Sequence, residues 1–208
     1  MPIGVPKVPY RLPGENQLQW VDIYNRLSRE RVLFLTQDIE EEAINQLIGL
    51  LLYLSSEEEK QDIFLYVNAT GGFVVCGLSL VDTIQYINAD VNTINVGTAA
   101  SRASFVVARG KKGKRLALPH ARFIIHQPER GSKGQATEIF TEAEEVVRLR
   151  QAMGRLYSEF TGQSLDQIAS DLDRDEFLSA EQACNYGLID SVRTNTKLVT
   201  NVFTRFSK

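Results

Sequence analysis

The stretch VGTAASRASFVVARG, residues 96–110, sets Gly97, Ala99, Ala100 and Ser101 close together between an apolar run and a helical pattern. A strand that runs through a tight turn of small residues into a helix places Ser101 near the helix N-terminus. There, free backbone N–H groups face any developing anion. Serine is also a common helix cap and small residues are ordinary in turns. The stretch alone therefore leaves two readings open, a reactive hydroxyl or a cap. A second glycine-ended strand, at Gly71-Gly72, favours the first, because two adjacent strand ends can each offer an N–H to one oxygen.

Working outward, the apolar period switches repeatedly. VLFLT (32–36) reads as a strand and residues 40–56 as an amphipathic helix with an acidic first turn. DIFLYVN (62–68) is the next strand, followed by a helix over about 74–88, the strand NTINVG (92–97) and a helix over 101–109. This alternation implies an α/β fold with parallel strands joined by helical crossovers. RLALP and ARFIIHQP read as a β pair. Residues 135–161 carry a helical stripe from Ile139 to Tyr157, with Gly162 as a stop. Such a helix spans about 40 Å, long enough to project and pack on another subunit. The first 16 residues hold four of the six prolines and read as an extended arm.

Bulk properties narrow the function. The length of 208 residues fits one domain with appendages. A net charge of -3 gives no reason to expect a nucleic-acid partner. The basic run RGKKGKR (109–115) reads as a solvated turn. The two cysteines, Cys76 and Cys184, lack any paired spacing, so a reducing compartment is expected. No apolar run has membrane-spanning length, and the proline-rich start lacks the core of a secretory signal, so no membrane partner is expected.

A nucleophilic serine needs a base, and the chain has only His120 and His126. On an alternating strand, Arg122, Ile124 and His126 share one face, which leaves His126 at the strand end beside Pro128. A structural histidine at that end is the competing reading. The two histidines, at i and i+6 without a third ligand, do not make a metal site, and no cofactor is expected. The orienting carboxylate stays open among Asp171, Asp173, Asp175 and Glu176.

The segments NATGG (68–72), GTAAS (97–101), KGKRLALPHARFIIHQP (112–128), GQATEI (134–139), TGQSLDQI (161–168), DRDEFLSAEQA (173–183) and YGLID (186–190) resemble the Clp protease proteolytic subunit family, ClpP. The resemblance implies a ClpP/crotonase-like ββα superhelix with a projecting handle helix at about 134–161. In that reading residues 1–16 are an N-terminal arm at the axial pore, 17–193 the serine peptidase domain and 194–208 a C-terminal tail. Carried over by position, it implies Ser101 as nucleophile, His126 as general base and Asp175 as orienting acid. The backbone N–H groups of Gly72 and Arg102 would be the oxyanion donors, and Gln127, Pro128, Glu129, Arg130 and Gly131 the strip that pairs with substrate.

The implied activity is endopeptidase cleavage of unfolded polypeptides inside two stacked heptameric rings, fed by a Clp AAA+ ATPase. The arm MPIGVPKVPYRLPGE further resembles chloroplast-encoded and cyanobacterial subunits, which implies a chloroplast stroma or a cyanobacterial cytoplasm. The chain departs from the family pattern at Thr70, where proline is usual, and at Arg102-Ala103, where Met-Gly is usual. Losing the proline is expected to loosen the glycine loop. The strip after His126 is also more charged than usual. These departures fit an alternative reading, a weakly active or mainly structural, ClpR-like subunit of a mixed ring. A crotonase-type acyl-CoA enzyme would share the fold and the paired donors but not the serine, histidine and aspartate together.

Overall fold

The computed structural model describes residues 4–11, 18–128, 131 and 133–194. Near the N-terminus β1 (Lys7–Arg11) pairs antiparallel with β2 (Leu18–Asp22), and Asp22 caps the short α1 (Ile23–Ser28) by accepting from the Tyr24 and Asn25 amides. The body follows as β3 (Val32–Leu35), α2 (Glu41–Glu57), β4 (Ile63–Ala69), α3 (Val74–Tyr86), β5 (Val91–Ala100) and α4 (Arg102–Arg109). Then come β6 (Arg115–Ala117), β7 (Arg122–Ile125), α5 (Ala136–Thr161), α6 (Leu165–Asp171), β8 (Glu176–Ser179), α7 (Ala180–Tyr186) and β9 (Ser191–Val192).

Strands β3, β4, β5, β6 and β9 lie side by side in parallel, as expected where each strand returns through a helix. Alternate residues of β3 and β4 face the core, with Leu33, Leu35, Ile63, Leu65 and Val67 nearly inaccessible and Phe64 and Tyr66 half-buried on the other side, while Val91–Asn95 of β5 are buried on both faces. Leu47, Leu51 and Leu54 of α2, spaced for one helix face, close the core over them.

Three expectations need correction. RLALP and ARFIIHQP do not pair with each other. The ten residues of β5 are long enough to serve two neighbours in turn, Thr93–Asn95 facing β6 and Thr98–Ala100 facing β7. The residues 97–100 are therefore strand rather than turn, and the reversal is confined to Ser101. Gly97 is needed there because a Cβ would come within 2.5 Å of the Asn68 Oδ1, which accepts from the Thr98 amide at 2.9 Å. The basic run is not wholly solvated either. Lys114 binds Asp62 and Asp90, and Arg115 is buried.

Helix α5 carries buried Met153, Tyr157 and Phe160 at i, i+4 and i+7, and ends at Gly162, whose left-handed backbone (φ 81°) provides the expected stop. Its earlier half exposes Ile139, Phe140 and Val147. Among the described residues no helix is long and apolar enough to cross a membrane.

Arg115 fastens three elements. Its Nε and Nη2 donate to Asp190, and Nη1 donates to the carbonyls of Ala108 at 3.1 Å and Phe160 at 2.9 Å. Burial pushes the Asp190 carboxyl up, yet the Arg115 guanidinium and the Arg115 and Gly113 amides outweigh it and hold the group below its usual value. A lowered folded value means stabilisation that is complete above the usual carboxylate range and lost as pH falls through that lowered value. Arg115→Met is expected to cost about 3 kcal/mol in denaturant unfolding, as for a broken buried pair, and to flatten the acid side of the stability profile. An unchanged midpoint and acid limb would show that the pair is idle.

Candidate active site

The site is built at three strand ends. Strand β5 stops at Ala100, and Ser101 turns the chain into α4 with φ 55° and ψ -117°, a conformation that is uncommon outside glycine. Its side chain makes no cap hydrogen bond, so the helix-cap reading of this serine is not what the structure contains. Its N–H instead donates to the Ile124 carbonyl at 2.7 Å, which pins the start of α4 to β7.

Strand β7 alternates as expected, with Phe123 and Ile125 buried and Arg122 exposed, and His126 follows one residue beyond its end. The antiparallel β7–β8 ladder ends with Ile125 opposite Glu176. The next residue on each side is His126 and Asp175; they lie just past the ladder's end and share no hydrogen bond in this structure, where His126 Nδ1 meets Gln127 instead. The other acidic candidates are used elsewhere. Asp171 accepts from Tyr186 at 2.6 Å, Asp173 pairs with Arg150 at 2.5 Å, and Glu176 lies on the opposite face of the ladder.

The glycine loop lies against the serine. A Cβ on Gly71 would stand 3.0 Å from the Ser101 Cβ. Gly72 has φ 149°, and a Cβ there would fall 2.2 Å from the Ile39 carbonyl oxygen. Ile39 bonds the Gly71 carbonyl at 2.7 Å and the Phe73 amide at 2.9 Å, so strand alternation turns the Gly72 N–H to the side away from Ile39. The expected loosening at Thr70 is offset: its hydroxyl donates to Asp38 at 2.5 Å and ties the loop down.

The reactive atoms are held by other partners in this structure. Ser101 Oγ accepts from the Arg102 guanidinium, and the serine is only 3% exposed. His126 Nδ1 lies 2.7 Å from the Gln127 carbonyl. A carbonyl can only accept, so Nδ1 carries the proton, which leaves Nε2 as the ring nitrogen able to serve as a base.

Beside them opens a cleft of about 840 Å³ that gathers Gly72, Phe73, Arg102, Pro128, Gly131 and Leu149. Two members of the expected substrate strip, Pro128 and Gly131, thus share it with both expected oxyanion donors. Gln127 is turned to other work: its amide donates to the Leu172 carbonyl and its side chain accepts from Arg150. Glu129 and Arg130 lie outside the described residues. Cys76 also lines the cleft, but burial and then the nearby Glu41 push its thiol up, away from the thiolate a nucleophile needs. Among the described residues no cluster of acidic, cysteine or histidine side chains is arranged to hold a metal ion.

Residues 14–196 match the family described as Clp protease. The chain belongs to the Clp protease family. The ATP-dependent Clp protease proteolytic subunit of Oltmannsiellopsis viridis is 60% identical over 195 residues, which cover 94% of this chain and 100% of that protein. That of Chlorella vulgaris is 57% identical over 201 residues, 97% of this chain and 100% of its own. The ATP-dependent Clp protease proteolytic subunit 1 of Gloeobacter violaceus is 52% identical over 192 residues, 92% of this chain and 97% of its own.

Within this Clp-family site, sequence reasoning missed Ser104, Tyr157 and Arg150. Ser104 and Tyr157 hydroxyls meet the Ser101 carbonyl, at 2.6 and 3.3 Å. Arg150 of α5 bridges Gln127 and Asp173, the segments that flank His126 and Asp175. Only Ser104 left a trace in the sequence, a hydroxyl three residues into the helix that Ser101 opens.

Arg102 packs flat over α3, where a Cβ on Gly77 would meet its Cβ at 2.9 Å. A fixed cation on Ser101 Oγ covers the hydroxyl and must release it before the oxygen can attack. Arg102→Met should raise kcat for a neutral peptide several-fold, on the order of 1 kcal/mol in barrier. A fluorogenic peptide assay reads this directly, and a fall in rate would reverse the assignment of Arg102 as a hindrance.

Proposed function

We propose that this chain is a serine endopeptidase subunit of an ATP-dependent Clp protease, with Ser101 as nucleophile, His126 as general base and Asp175 as orienting acid. The observation that carries this reading is the strand register. The Ser101 amide is bonded to Ile124, two residues before His126, and the β7–β8 ladder ends at Ile125 and Glu176, the neighbours of His126 and Asp175. Family membership and relatives of nearly full length, each called a proteolytic subunit, support the same activity.

In the proposed reaction the Ser101 hydroxyl leaves Arg102 and gives its proton to His126 Nε2 as Oγ attacks the peptide carbonyl. The imidazole exchanges its Nδ1–H contact from the Gln127 carbonyl to Asp175, which stabilises the imidazolium and keeps the useful tautomer. The carbonyl oxygen becomes an anion facing the N–H groups of Gly72 and Arg102. His126 then protonates the departing amine, and water hydrolyses the acyl-enzyme with His126 again taking a proton. Residues 127–131 would pair with substrate backbone as an added strand, which binds unfolded chains without demanding particular side chains.

The apolar residues exposed on the first half of α5 suit a handle helix that packs against a second ring. In this reading the fold is the ββα superhelix, two heptameric rings enclose the sites, and a Clp ATPase delivers unfolded substrate. Relatives from chlorophyte, plastid and cyanobacterial sources support a plastid stroma or a cyanobacterial cytoplasm as its compartment. A second reading, a weakly active subunit of a mixed ring, is favoured by one observation: the nucleophile and the orienting nitrogen of the base are engaged by other partners, Ser101 Oγ by Arg102 and His126 Nδ1 by Gln127.

A fluorophosphonate probe applied to the assembled native complex, read subunit by subunit, tests both readings. Labelling at Ser101 that Ser101→Ala abolishes is the expected result. Slow labelling relative to neighbouring subunits favours the weak subunit, and labelling at another residue overturns the triad.

A further inference from the structure

The peptide unit between Ser101 and Arg102 has two ends. One is the Ser101 carbonyl and the other the Arg102 N–H, and in a planar trans peptide they point in opposite directions. Whatever fixes the carbonyl therefore aims the N–H. The helix does this weakly, because the Phe105 amide reaches the Ser101 oxygen at only 3.4 Å. Side chains supply the rest. Ser104 Oγ donates to the oxygen at 2.6 Å, Tyr157 Oη lies 2.8 Å from Ser104 Oγ, and Tyr157 also reaches the carbonyl at 3.3 Å.

Two hydroxyl protons serve these three contacts. Ser104 gives its proton to the carbonyl at 2.6 Å, and the Tyr157 proton is shared between that carbonyl and Ser104 Oγ. All three residues are buried, Ser104 at 0%, Tyr157 at 1% and Ser101 at 3% exposure. The tyrosine ring is held edge-on to Phe105, with centroids 5.0 Å apart. Tyr157 belongs to α5, 56 residues from the serine it steadies.

We infer that Ser104 and Tyr157 are positioning residues that lock the Ser101–Arg102 peptide plane and thereby aim the Arg102 N–H at the oxyanion. This rests on the peptidase reading above. Neither hydroxyl touches the substrate; both act through the carbonyl of the nucleophile itself. Their loss lets the peptide plane rock, which weakens a transition-state contact and leaves ground-state binding in the cleft alone.

The test uses the full-length assembled complex. Tyr157→Phe and Ser104→Ala are compared with the parent for kcat and KM on a fluorogenic peptide, and for inhibition by a peptide aldehyde, whose hemiacetal oxygen occupies the oxyanion position. Loss of a whole oxyanion donor lowers kcat by about 100-fold or more, so mis-aiming one should lower it roughly tenfold. KM should stay within about twofold, and aldehyde affinity should fall in step with kcat. Ser104→Thr, which keeps the hydroxyl, should retain activity, and Tyr157→Phe decides the matter if the Ser104 variants fail to assemble. Unchanged kcat in Tyr157→Phe, or a loss carried by KM or by dissociation of the complex, overturns the inference. Ser101→Ala run alongside separates the two claims. If it stays active the peptidase site itself is wrong, whereas if it is dead while Tyr157→Phe is normal, only the positioning role falls.

Discussion

The backbone hydrogen bond from the Ser101 amide to the Ile124 carbonyl, at 2.7 Å, closes the ladder that joins the strand leading to the serine to the strand leading to the histidine. It can form because β5 runs on for five residues past its last pairing with β6 and takes β7 as its next neighbour over the final three. The parallel pairing brings Ala100 beside Ile124, and the antiparallel pairing of β7 with β8 brings the acidic segment to the same edge. A one-residue slip in either ladder would turn His126 to the opposite face. The buried alternation of Phe123 and Ile125 prevents that slip, so the core sets the site's geometry.

Much of this was legible in the sequence because it depends on local rules. The alternation of strand and helix, the stop at Gly162 and the faces of residues 122–126 follow from period and from backbone freedom. The glycine at position 72 was legible as the end of a strand, although the reason no other residue fits is a contact with Ile39, 33 positions away, that period cannot reveal. The β6–β7 pairing was misread because adjacency in the chain suggests a hairpin, whereas Pro119 and His120 lead instead to a second position along β5. What sets Asp175 apart from its neighbours also needed space: Tyr186 and Arg150 occupy Asp171 and Asp173 only once α5, α6 and α7 are packed, which is why Asp175 is the acid proposed. Arg115 was misread with its run because a charge looks solvated until buried carbonyls are found around it.

Two arginines give the site opposing tendencies. Arg102 holds the serine hydroxyl beneath a buried cation, while Arg150 draws together the segments that carry the base and the acid. The first contact must open for proton transfer and the second must persist, so the charges are not interchangeable despite their proximity to one reaction. Burial sorts them. Arg102 is enclosed and its contact with Oγ is little screened, whereas Arg150 and Asp173 are partly solvated and contribute alignment more than stability. Departures from the family pattern need not therefore act in one direction. Thr70 replaces the stiffness of a proline with a hydrogen bond to Asp38, and Arg102 replaces an apolar neighbour with a competitor for the nucleophile.

Helix α5 connects these features to whatever lies outside the subunit. Its last three turns are core, through Met153, Tyr157 and Phe160, and from them Tyr157 reaches the peptide unit of the nucleophile. About two turns before Tyr157, Arg150 reaches the segments around His126 and Asp175. Earlier still, Ile139, Phe140 and Val147 face outward, apolar and uncovered by this chain. A continuous helix of 26 residues transmits a shift or rotation along its length, because its side chains are carried on one hydrogen-bonded frame. In the proposed triad, a shift of α5 would therefore reach both the segments around the base and the Ser101–Arg102 peptide, through Arg150 and Tyr157 of a single element.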